Sequence, residues 1–318
     1  MRDRKATADF SLSRRSMLAA AASLGAGAFA RLTPASGQGA GAPILRRPIP
    51  HGGEMLPVVG LGTSQVFGIG SDAKERAERR AVLEALVAAG GSLIDTASTY
   101  GTAEGVVGDL VAEAGLRDKV FLATKCEVRS RAATIAEMQQ SLRKLKTPKV
   151  DLMQLHNVTD AKTDLGLLRE WKAQGSFRYI GITTSTNSDQ DAVAAVTARE
   201  KPDFVQVNYA ISDRNAEKRV LPAAKDAGAA VLCNVPFGSG GLFRKVRGKP
   251  LPEWAAEFDA ATWGQFFLKF LLAHDAVTAV IPGTAKAEHM IDNLAAGRGR
   301  MPDAATRQRM IAYVEQLG

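Results

Sequence analysis

The stretch 91-GSLIDTASTYGTAEG-105 holds a complete junction between a strand and a helix, and two titratable side chains lie within it. Its first residues, 91–94, form a short apolar run that predicts a buried strand. Asp95 ends this run, and Tyr100 follows in a turn rich in Gly, Thr and Ser. A helical pattern starts at residue 103. The junction therefore brings an acid and a phenol to the carboxyl end of a strand.

The same alternation of a short apolar run and a longer amphipathic segment continues along the chain. The apolar runs lie at 58–62, 92–95, 120–124, 151–156, 178–183, 204–208, 230–235 and 278–283. The helix-like segments lie at 72–89, 103–115, 132–145, 163–174, 188–199, 215–227, 262–273 and 286–296, and a last one at about 303–317 follows Pro302. Short strands separated by helical segments predict parallel strands joined by crossover helices.

Two architectures satisfy this alternation: a closed (β/α)8 barrel and an open, doubly wound sheet. The barrel has a typical length of about 250 residues, which suits eight units. An open sheet that binds a dinucleotide should carry a glycine-rich loop after its first strand, and 60-GLGTSQ-65 is not such a loop. We therefore predict an α/β fold, a (β/α)8 TIM barrel with a C-terminal extra helix, over residues 44–318.

The net charge of +8 is concentrated near the amino terminus. Residues 1–35 hold six basic and two acidic side chains, so half of the surplus lies there. The surplus left for the body is small, and no basic stripe is interleaved with aromatic residues. This pattern predicts no nucleic-acid partner.

The cysteines and histidines do not form a recognisable metal motif. Cys126 and Cys233 have neither the spacing of a metal site nor that of a disulfide framework. Strand alternation turns Cys126 away from the barrel centre, and Cys233 lies on a distant strand, so we expect no disulfide between them. The histidines are scattered at His51, His156, His274 and His289. We predict no metal site.

The amino terminus has the pattern of an export signal. In 13-SRRSML-18 two arginines precede an apolar run, Met17 to Ala30, of 14 residues. A stable membrane span needs about 20 apolar residues, so we predict no such span here. A basic start, a short apolar run and small residues after it indicate a signal peptide.

The paired arginines resemble the twin-arginine (Tat) type of signal. We predict a Tat signal peptide over residues 1–35, the Tat export machinery as a partner, and a periplasmic or otherwise exported protein. Cleavage after Ala30 and after Ala35 are both open, and residues 36–43 are predicted to be a flexible linker. The alternative is an ordinary basic amino terminus on a cytoplasmic protein.

Four titratable side chains fall at the carboxyl ends of three consecutive predicted strands. Asp95 ends the second strand and Tyr100 lies in the loop after it, Lys125 ends the third strand, and His156 ends the fourth. Catalytic groups of barrel enzymes lie at this end of the barrel. Each side chain alone has an ordinary structural explanation, but four together predict a catalytic tetrad.

The chemistry of the tetrad suits reduction of a carbonyl group. A tyrosine hydroxyl has a pKa of about 10, and a neighbouring ammonium such as that of Lys125 lowers it by stabilising the phenolate. Asp95 can keep Lys125 charged, and His156 can orient a substrate oxygen beside Tyr100. The carbon must receive a hydride, which no side chain supplies, so a redox cofactor is required.

The motifs around these residues resemble the aldo/keto reductase superfamily over about residues 44–297. The most specific are 94-IDTASTYGTAE-104 and 151-DLMQLH-156. Weaker matches are 60-GLGT-63, 122-LATK-125, 180-IGIT-183, 205-VQVNY-209 and 281-IPGTAKAEHMIDN-293. The resemblance implies a (β/α)8 barrel, NADPH or alternatively NADH bound without a Rossmann motif, Tyr100 as the proton donor, and aldehyde or ketone substrates.

The resemblance also implies a set of cofactor contacts. These are Gly62, Thr63, Thr183, Thr184, Gln206, Asn234, Pro236, Gly238, Gly283, Thr284, Lys286, His289 and Asn293. Several depart from the residues common in the family. Thr183 and Thr184 stand where Ser-Asn is usual, Asn234 stands where an aromatic ring is usual, and His289 stands where an arginine often is. We therefore expect an altered nicotinamide cradle.

Two points stay open from the sequence. The loop 236–261 carries four basic residues and is either a solvated loop or a clamp over the cofactor pyrophosphate. The altered cradle also leaves an alternative function, an exported nicotinamide-binding sensor or accessory subunit with slow or no turnover.

Overall fold

A computed structural model describes residues 42–317 of the chain. The predicted signal peptide, residues 1–35, and nearly all of the predicted linker, residues 36–43, lie outside the described residues. The division of the chain into signal, linker and barrel therefore stays a prediction.

Eight parallel strands follow one another around a single sheet in chain order, and a two-stranded antiparallel hairpin precedes them. The strands are β1 Arg46–Pro48, β2 Met55–Pro57, β3 Leu61–Gly62, β4 Leu93–Asp95, β5 Phe121–Glu127, β6 Val150–His156, β7 Phe177–Thr183, β8 Phe204–Asn208, β9 Ala230–Asn234 and β10 Ala279–Val280. The predicted (β/α)8 fold is confirmed. The strand order is that of a barrel, in which each strand pairs with its neighbour in sequence.

The first and last strands of the sheet are joined by two parallel bridges, Val59 to Val280 and Gly62 to Gly283. The Gly60 amide donates to the Val280 carbonyl at 2.8 Å, and the Gly62 amide donates to that of Pro282 at 3.1 Å. A Cβ on Gly62 would lie 2.6 Å from the Ile281 carbonyl oxygen. Gly62 is therefore required where the barrel closes.

Helices connect the strands and cover the outside of the barrel. They are α1 Ala73–Ala88, α2 Ala103–Glu113, α3 Arg131–Lys144, α4 Gly166–Ala173, α5 Gln190–Glu200, α6 Val220–Ala227, α7 Gly241–Lys245, α8 Trp263–Leu272, α9 Ala287–Ala295 and α10 Ala304–Gln316. The first begins where predicted, because the Asp72 side chain caps it by accepting from the Glu75 amide at 2.9 Å.

Three parts of the helix prediction differ from the structure, and one is the segment 188–199, which begins with a 3₁₀ turn at Asn187–Asp189 before α5. The segment predicted as one helix over 215–227 is a 3₁₀ turn, Asn215–Lys218, followed by α6, because the backbone leaves the helical region at Arg219, where φ is −140°. The loop 236–261 also contains structure of its own, α7 and a 3₁₀ turn at Glu253–Phe258.

The hairpin β1–β2 was not predicted, because each of its strands has only three residues. Its turn passes through Gly52 and Gly53, both with positive φ. Ile49 and Leu56 from this hairpin are fully buried and belong to the same apolar cluster as Leu93 and Phe121 of the barrel. The hairpin therefore closes the amino-terminal end of the barrel.

Strand alternation divides the barrel interior into an apolar floor and a polar upper layer. The floor consists of Ile49, Leu56, Leu93, Phe121, Ala123, Leu152, Tyr179, Phe204, Ala230, Leu232, Ala279 and Ile281. Two residues beyond Leu93, Ala123 and Leu232 along their strands lie Asp95, Lys125 and Asn234. Because side chains two apart share a face, the apolar floor dictates that these polar groups point inward.

The predicted C-terminal helix is present as α10, and Arg307 attaches it to the barrel. The Arg307 guanidinium donates to the Tyr209 hydroxyl at 2.8 Å, to Glu217 at 2.9 Å and to the Phe270 carbonyl at 3.2 Å. No helix within residues 42–317 is long and apolar enough to cross a membrane. Within the same residues no group of three or more His, Cys, Asp or Glu side chains is placed to hold a metal ion.

Candidate active site

Asp95 and Lys125 form an ion pair inside the barrel. The Lys125 ammonium donates to Asp95 Oδ2 at 2.5 Å and to the Thr96 carbonyl at 2.8 Å. The Lys125 side chain is fully buried and that of Asp95 is 3% exposed. The strand register explains why Asp95 and Lys125 are in contact, because Asp95 pairs with Ala123 on β5, two residues before Lys125.

Lys125 stays charged despite its burial. Burial works against the ammonium, yet the pKa of Lys125 is raised above its ordinary value by the Asp95 carboxylate and by the Tyr100 hydroxyl. The Lys125 Nζ lies 4.9 Å from the centroid of the Tyr100 ring. A positive charge is therefore held beside the phenol that the sequence predicts to be the acid.

His156 completes the group of four predicted catalytic residues. Its ring stands edge-on to that of Tyr100, with centroids 5.8 Å apart, and its Nδ1 lies 3.2 Å from the Thr99 hydroxyl. Burial, assisted by the charge of Lys125, lowers the pKa of His156 to about 4. At neutral pH the imidazole is therefore uncharged, and it adds no second positive charge beside Lys125.

A cavity of about 550 Å³ opens above these side chains at the carboxyl ends of the strands. Nine of the predicted site residues line it: Gly62, Thr63, Asp95, Tyr100, His156, Gln206, Asn234, Pro236 and Gly283. Lys125 lies beneath it. The remaining predicted contacts are outside its lining: Thr183, Thr184, Gly238, Thr284, Lys286, His289 and Asn293.

The backbone around the cavity is unusual. Seven described residues other than glycine have a positive φ, and four of them line this cavity: Gln65, Asn157, Val235 and Ser239. Val235 is the most strained, because a β-branched side chain disfavours its φ of 51°. Strained backbone tends to collect at functional sites, which supports the cavity as the site.

Thr183 ends β7 and Thr184 follows it, and both hydroxyls bond to protein neighbours rather than facing the cavity. The Thr183 hydroxyl donates to Gln206 Oε1 at 3.3 Å. The Thr184 hydroxyl accepts from the Thr186 amide at 3.2 Å and donates to Asp189 at 3.3 Å. Their predicted roles as contacts of the nicotinamide amide stay predictions, and their hydroxyl protons are already donated to protein acceptors.

Gln206 also has its hydrogen-bonding groups engaged. Its Nε2 donates to Asp95 Oδ1 at 2.8 Å, and its Oε1 accepts from Asn234 Nδ2 at 3.2 Å as well as from Thr183. Gln206 therefore connects the predicted nicotinamide cradle to the Asp95–Lys125 pair.

Gln154 is a site residue that the sequence analysis did not identify. It lies two residues before His156 on β6, is fully buried, and donates from Nε2 to Asp95 Oδ1 at 3.1 Å. The spacing from His156 was a usable signal, because a polar residue two positions away on a strand points into the same interior.

The hydrogen bonding of Asn234 indicates whether this cavity can hold a nicotinamide nucleotide. Its Nδ2 donates to the Thr184 carbonyl at 2.9 Å and to Gln206, so the orientation of the amide is fixed. Its Oδ1 is buried and has no hydrogen-bond partner among the described residues. A buried acceptor without a partner is costly, and a carboxamide N–H is a suitable donor for it. The residues present therefore fit a nicotinamide carboxamide.

The other predicted contacts lie at the start of α9 and in the loop after β9. Lys286 precedes α9 and is exposed, His289 is exposed, and Thr284 accepts from the Lys286 amide at 3.2 Å. Asn293 is buried on α9. Gly238, with φ of +56°, lies in the turn between β9 and α7, just after the lining residue Pro236.

The fold and the strand-end side chains define an α/β barrel with an acid–base site at the carboxyl ends of its strands. The chain belongs to the aldo/keto reductase family, whose family model matches residues 58–308.

Named relatives agree with this membership. The chain is 30% identical over 248 residues to the methylglyoxal reductase YeaE of Escherichia coli, covering 76% of this chain and 85% of the relative. It is 31% identical over 252 residues to the methylglyoxal reductase DkgB of Yersinia pestis, covering 76% and 87%. A crystal structure of an aldo-keto reductase from Klebsiella pneumoniae in complex with NADPH matches with a TM-score of 0.68 and 27% identity, over 83% of this chain and 92% of that one.

Proposed function

We propose that this protein reduces an aldehyde or a ketone with a nicotinamide cofactor, NADPH in preference to NADH, and that Tyr100 donates the proton. The observation that carries the proposal is the buried Asp95–Lys125 pair, whose ammonium lies 4.9 Å from the Tyr100 ring centroid. A charge held there lowers the free energy of the phenolate that forms as Tyr100 gives up its proton.

The chain's own residues perform the acid half of the reaction. His156, uncharged at neutral pH, orients the substrate oxygen at the cavity wall. As that oxygen gains negative charge, the O–H bond of Tyr100 breaks and the new O–H bond forms on the substrate. Lys125 keeps its proton and stabilises the phenolate until solvent returns a proton to Tyr100. A bound nicotinamide nucleotide supplies the hydride.

Several residues are candidates to hold that cofactor. Asn234 offers an acceptor for the carboxamide, and Lys286 at the start of α9 offers a cation for a phosphate. The preference for NADPH is supported by the NADPH in the Klebsiella pneumoniae structure. The two methylglyoxal reductases among the relatives support a small carbonyl compound as the substrate.

The test combines cofactor binding with turnover. Purified protein should bind NADPH by fluorescence titration and oxidise it in the presence of methylglyoxal or another aldehyde. We expect Tyr100→Phe to lower kcat about 10²-fold or more, because the general acid is lost, while the Kd of NADPH changes little. Tyr313→Phe, on α10, is the matched control and should change neither. Absence of NADPH binding contradicts the proposal, and an unchanged kcat in Tyr100→Phe contradicts the role of Tyr100.

We also propose that the protein is exported through the Tat route, on the strength of 13-SRRSML-18 and the short apolar run after it. Replacing Arg14 and Arg15 by Lys should retain the protein in the cytoplasm, as measured by cell fractionation. The same replacement at Arg2 and Arg4, outside the pair, should not affect export. Export that survives the change at Arg14 and Arg15 contradicts a Tat signal.

The alternative of a sensor or accessory subunit gains no support from the family or from the relatives. Sustained turnover with an aldehyde excludes it, whereas a single slow turnover of bound cofactor favours it.

A further inference from the structure

Gln154 is a fully buried glutamine inside the barrel, and its burial calls for a structural or functional explanation. It lies in the barrel interior between the apolar floor residue Leu152 and the predicted catalytic residue His156, and its side chain is inaccessible to solvent. It is also absent from the lining of the cavity, so it meets neither substrate nor cofactor there. A buried amide is tolerated only when its donors and acceptor are satisfied.

The partners of Gln154 converge on the carboxylate of Asp95. Asp95 Oδ1 accepts from Gln154 Nε2 at 3.1 Å and from Gln206 Nε2 at 2.8 Å, while Oδ2 accepts from Lys125. Gln206 Nε2 also lies 3.3 Å from Gln154 Oε1. One carboxylate thus receives hydrogen bonds from three other strands of the barrel.

The Thr184 carbonyl, which can only accept hydrogen bonds, fixes the orientation of the Gln206 and Gln154 amides through Asn234. The Thr184 carbonyl accepts from Asn234 Nδ2, which therefore presents the same nitrogen to Gln206 Oε1 at 3.2 Å. Gln206 must then turn its Nε2 toward Asp95 and Gln154. Reversing either glutamine would face an acceptor with an acceptor, so N–H groups are presented to the carboxylate.

A buried acid–base pair can exist in a charged or a neutral form. A proton that moves from Lys125 to Asp95 removes two buried charges, and burial favours that transfer. Hydrogen bonds to a carboxylate oppose it, because they stabilise the ionised form. We propose that Gln154 is a positioning residue for the proton donor: its amide keeps Asp95 ionised and aimed at Lys125, so that Lys125 stays charged beside Tyr100.

This inference rests on the proposed function for its meaning, but its test needs neither cofactor nor substrate. Titratable groups that face Lys125 among the described residues are Asp95 on β4, Tyr100 in the loop after it and His156 on β6. Lys125 is the member of the pair that contacts the Tyr100 ring. Loss of its charge therefore makes the phenolate of Tyr100 harder to form.

The experiment is a spectrophotometric titration of Tyr100 in the protein without added ligands. The chain has four tyrosines, so the absorbance of the Tyr100 phenolate is obtained by subtracting the titration of Tyr100→Phe in each background. Gln154→Met keeps the length of the side chain and removes its N–H donors. We expect it to move the ionisation of Tyr100 to higher pH, because the lost hydrogen bond favours the uncharged form of the Asp95–Lys125 pair.

Met153→Leu is the matched control, because Met153 is equally buried on β6 but packs in the other apolar cluster, outside the barrel interior. It should leave the ionisation of Tyr100 in place. If Gln154→Met lowers the melting temperature yet leaves that ionisation unmoved, Gln154 has only a structural role and the inference is overturned. Should Gln154→Met not fold, Gln154→Asn serves instead, since its amide is one methylene short of Asp95 and should give the same shift.

A second measurement ties the effect to Asp95. In an Asp95→Asn background, Gln154→Met should produce no further shift in the Tyr100 ionisation, because the carboxylate through which it acts is gone. An equal shift in both backgrounds overturns the inference. If instead the ionisation shifts as expected but the wild-type protein neither binds NADPH nor reduces a carbonyl, the proposed function fails while the role of Gln154 stands.

Discussion

At the scale of single residues, environment rather than residue type decides what each member of the tetrad does. Lys125 is fully buried and would ordinarily lose its proton, but Asp95 at 2.5 Å holds it as an ammonium. His156 lies beside that ammonium and is held neutral, first by its burial and then by the charge of Lys125. Both bases are buried, but only Lys125 has a carboxylate beside it to stabilise its charged form.

The neutral state of His156 is directly measurable. Burial and the charge of Lys125 lower its pKa to about 4, so nuclear magnetic resonance of the ring protons should show no titration near pH ~6.5, the usual value. His156→Asn assigns the signal. Lys125→Met should raise the pKa of His156, because one cause of the depression is removed. A midpoint near the usual value in the wild-type protein contradicts this account.

The same shift has a consequence for stability. The unfolded chain binds a proton at His156 below about pH 6.5, whereas the folded chain binds it only near pH 4. The contribution of His156 to the free energy of unfolding is therefore fully present above the pKa of the unfolded chain, about 6.5. It decreases as the pH falls from about 6.5 to about 4.

At the scale of elements, the predicted catalytic groups and the predicted phosphate contacts belong to different parts of the fold. The tetrad lies on β4, β5 and β6 and in the loop after β4, whereas Lys286 precedes α9 on the other side of the closure between β3 and β10. The amino end of a helix with a lysine beside it suits a phosphate.

We expect Lys286→Ala to weaken NADPH binding about tenfold, or about 1.4 kcal/mol, and to leave NADH binding nearly unchanged. The physical reason is that only NADPH carries the additional phosphate. Lys149→Ala is the control, because Lys149 is an exposed lysine that precedes β6 at the amino end of the barrel. Calorimetry with both cofactors measures the difference, and equal losses for the two would show that Lys286 does not select between them.

At the scale of the whole molecule, the barrel wall protects both cysteines. Cys126 and Cys233 are free and fully buried. Burial, with a contribution from Glu137, raises the pKa of Cys126 to about 12, and burial also raises the pKa of Cys233. The reactive thiolate is therefore scarce at both positions.

Native protein should accordingly react with no equivalent of a thiol reagent at about pH 8, where an ordinary thiol is partly ionised. In denaturant, two thiols per chain should react, which also verifies that no disulfide is present. Rapid labelling of the native protein would mean that the barrel opens locally on the timescale of the reaction.

The predicted fold agrees with the observed one because each strand–turn–helix unit is encoded by residues close together in the sequence. A strand of β4's type, a turn and a helix are all encoded within about fifteen consecutive residues, and the eight-fold repetition of that pattern is visible without any long-range information. The sequence predicts the tetrad for the same reason, since Asp95, Lys125 and His156 each end an apolar run. The hairpin β1–β2 was missed because its strands are too short for a period to appear.

Local patterns in the sequence are enough to predict the alternating strands and helices and the side chains near the strand ends. Three features could be seen only in the folded chain: Gln154 and Gln206 share the carboxylate of Asp95, Asn234 leaves a buried acceptor beside the cavity, and Gly62 is needed where the barrel closes. These depend on contacts between residues 28 to 221 positions apart, such as Asn234 with Gln206 and Gly62 with Gly283. Strand order and register create such contacts, and local sequence patterns do not report them.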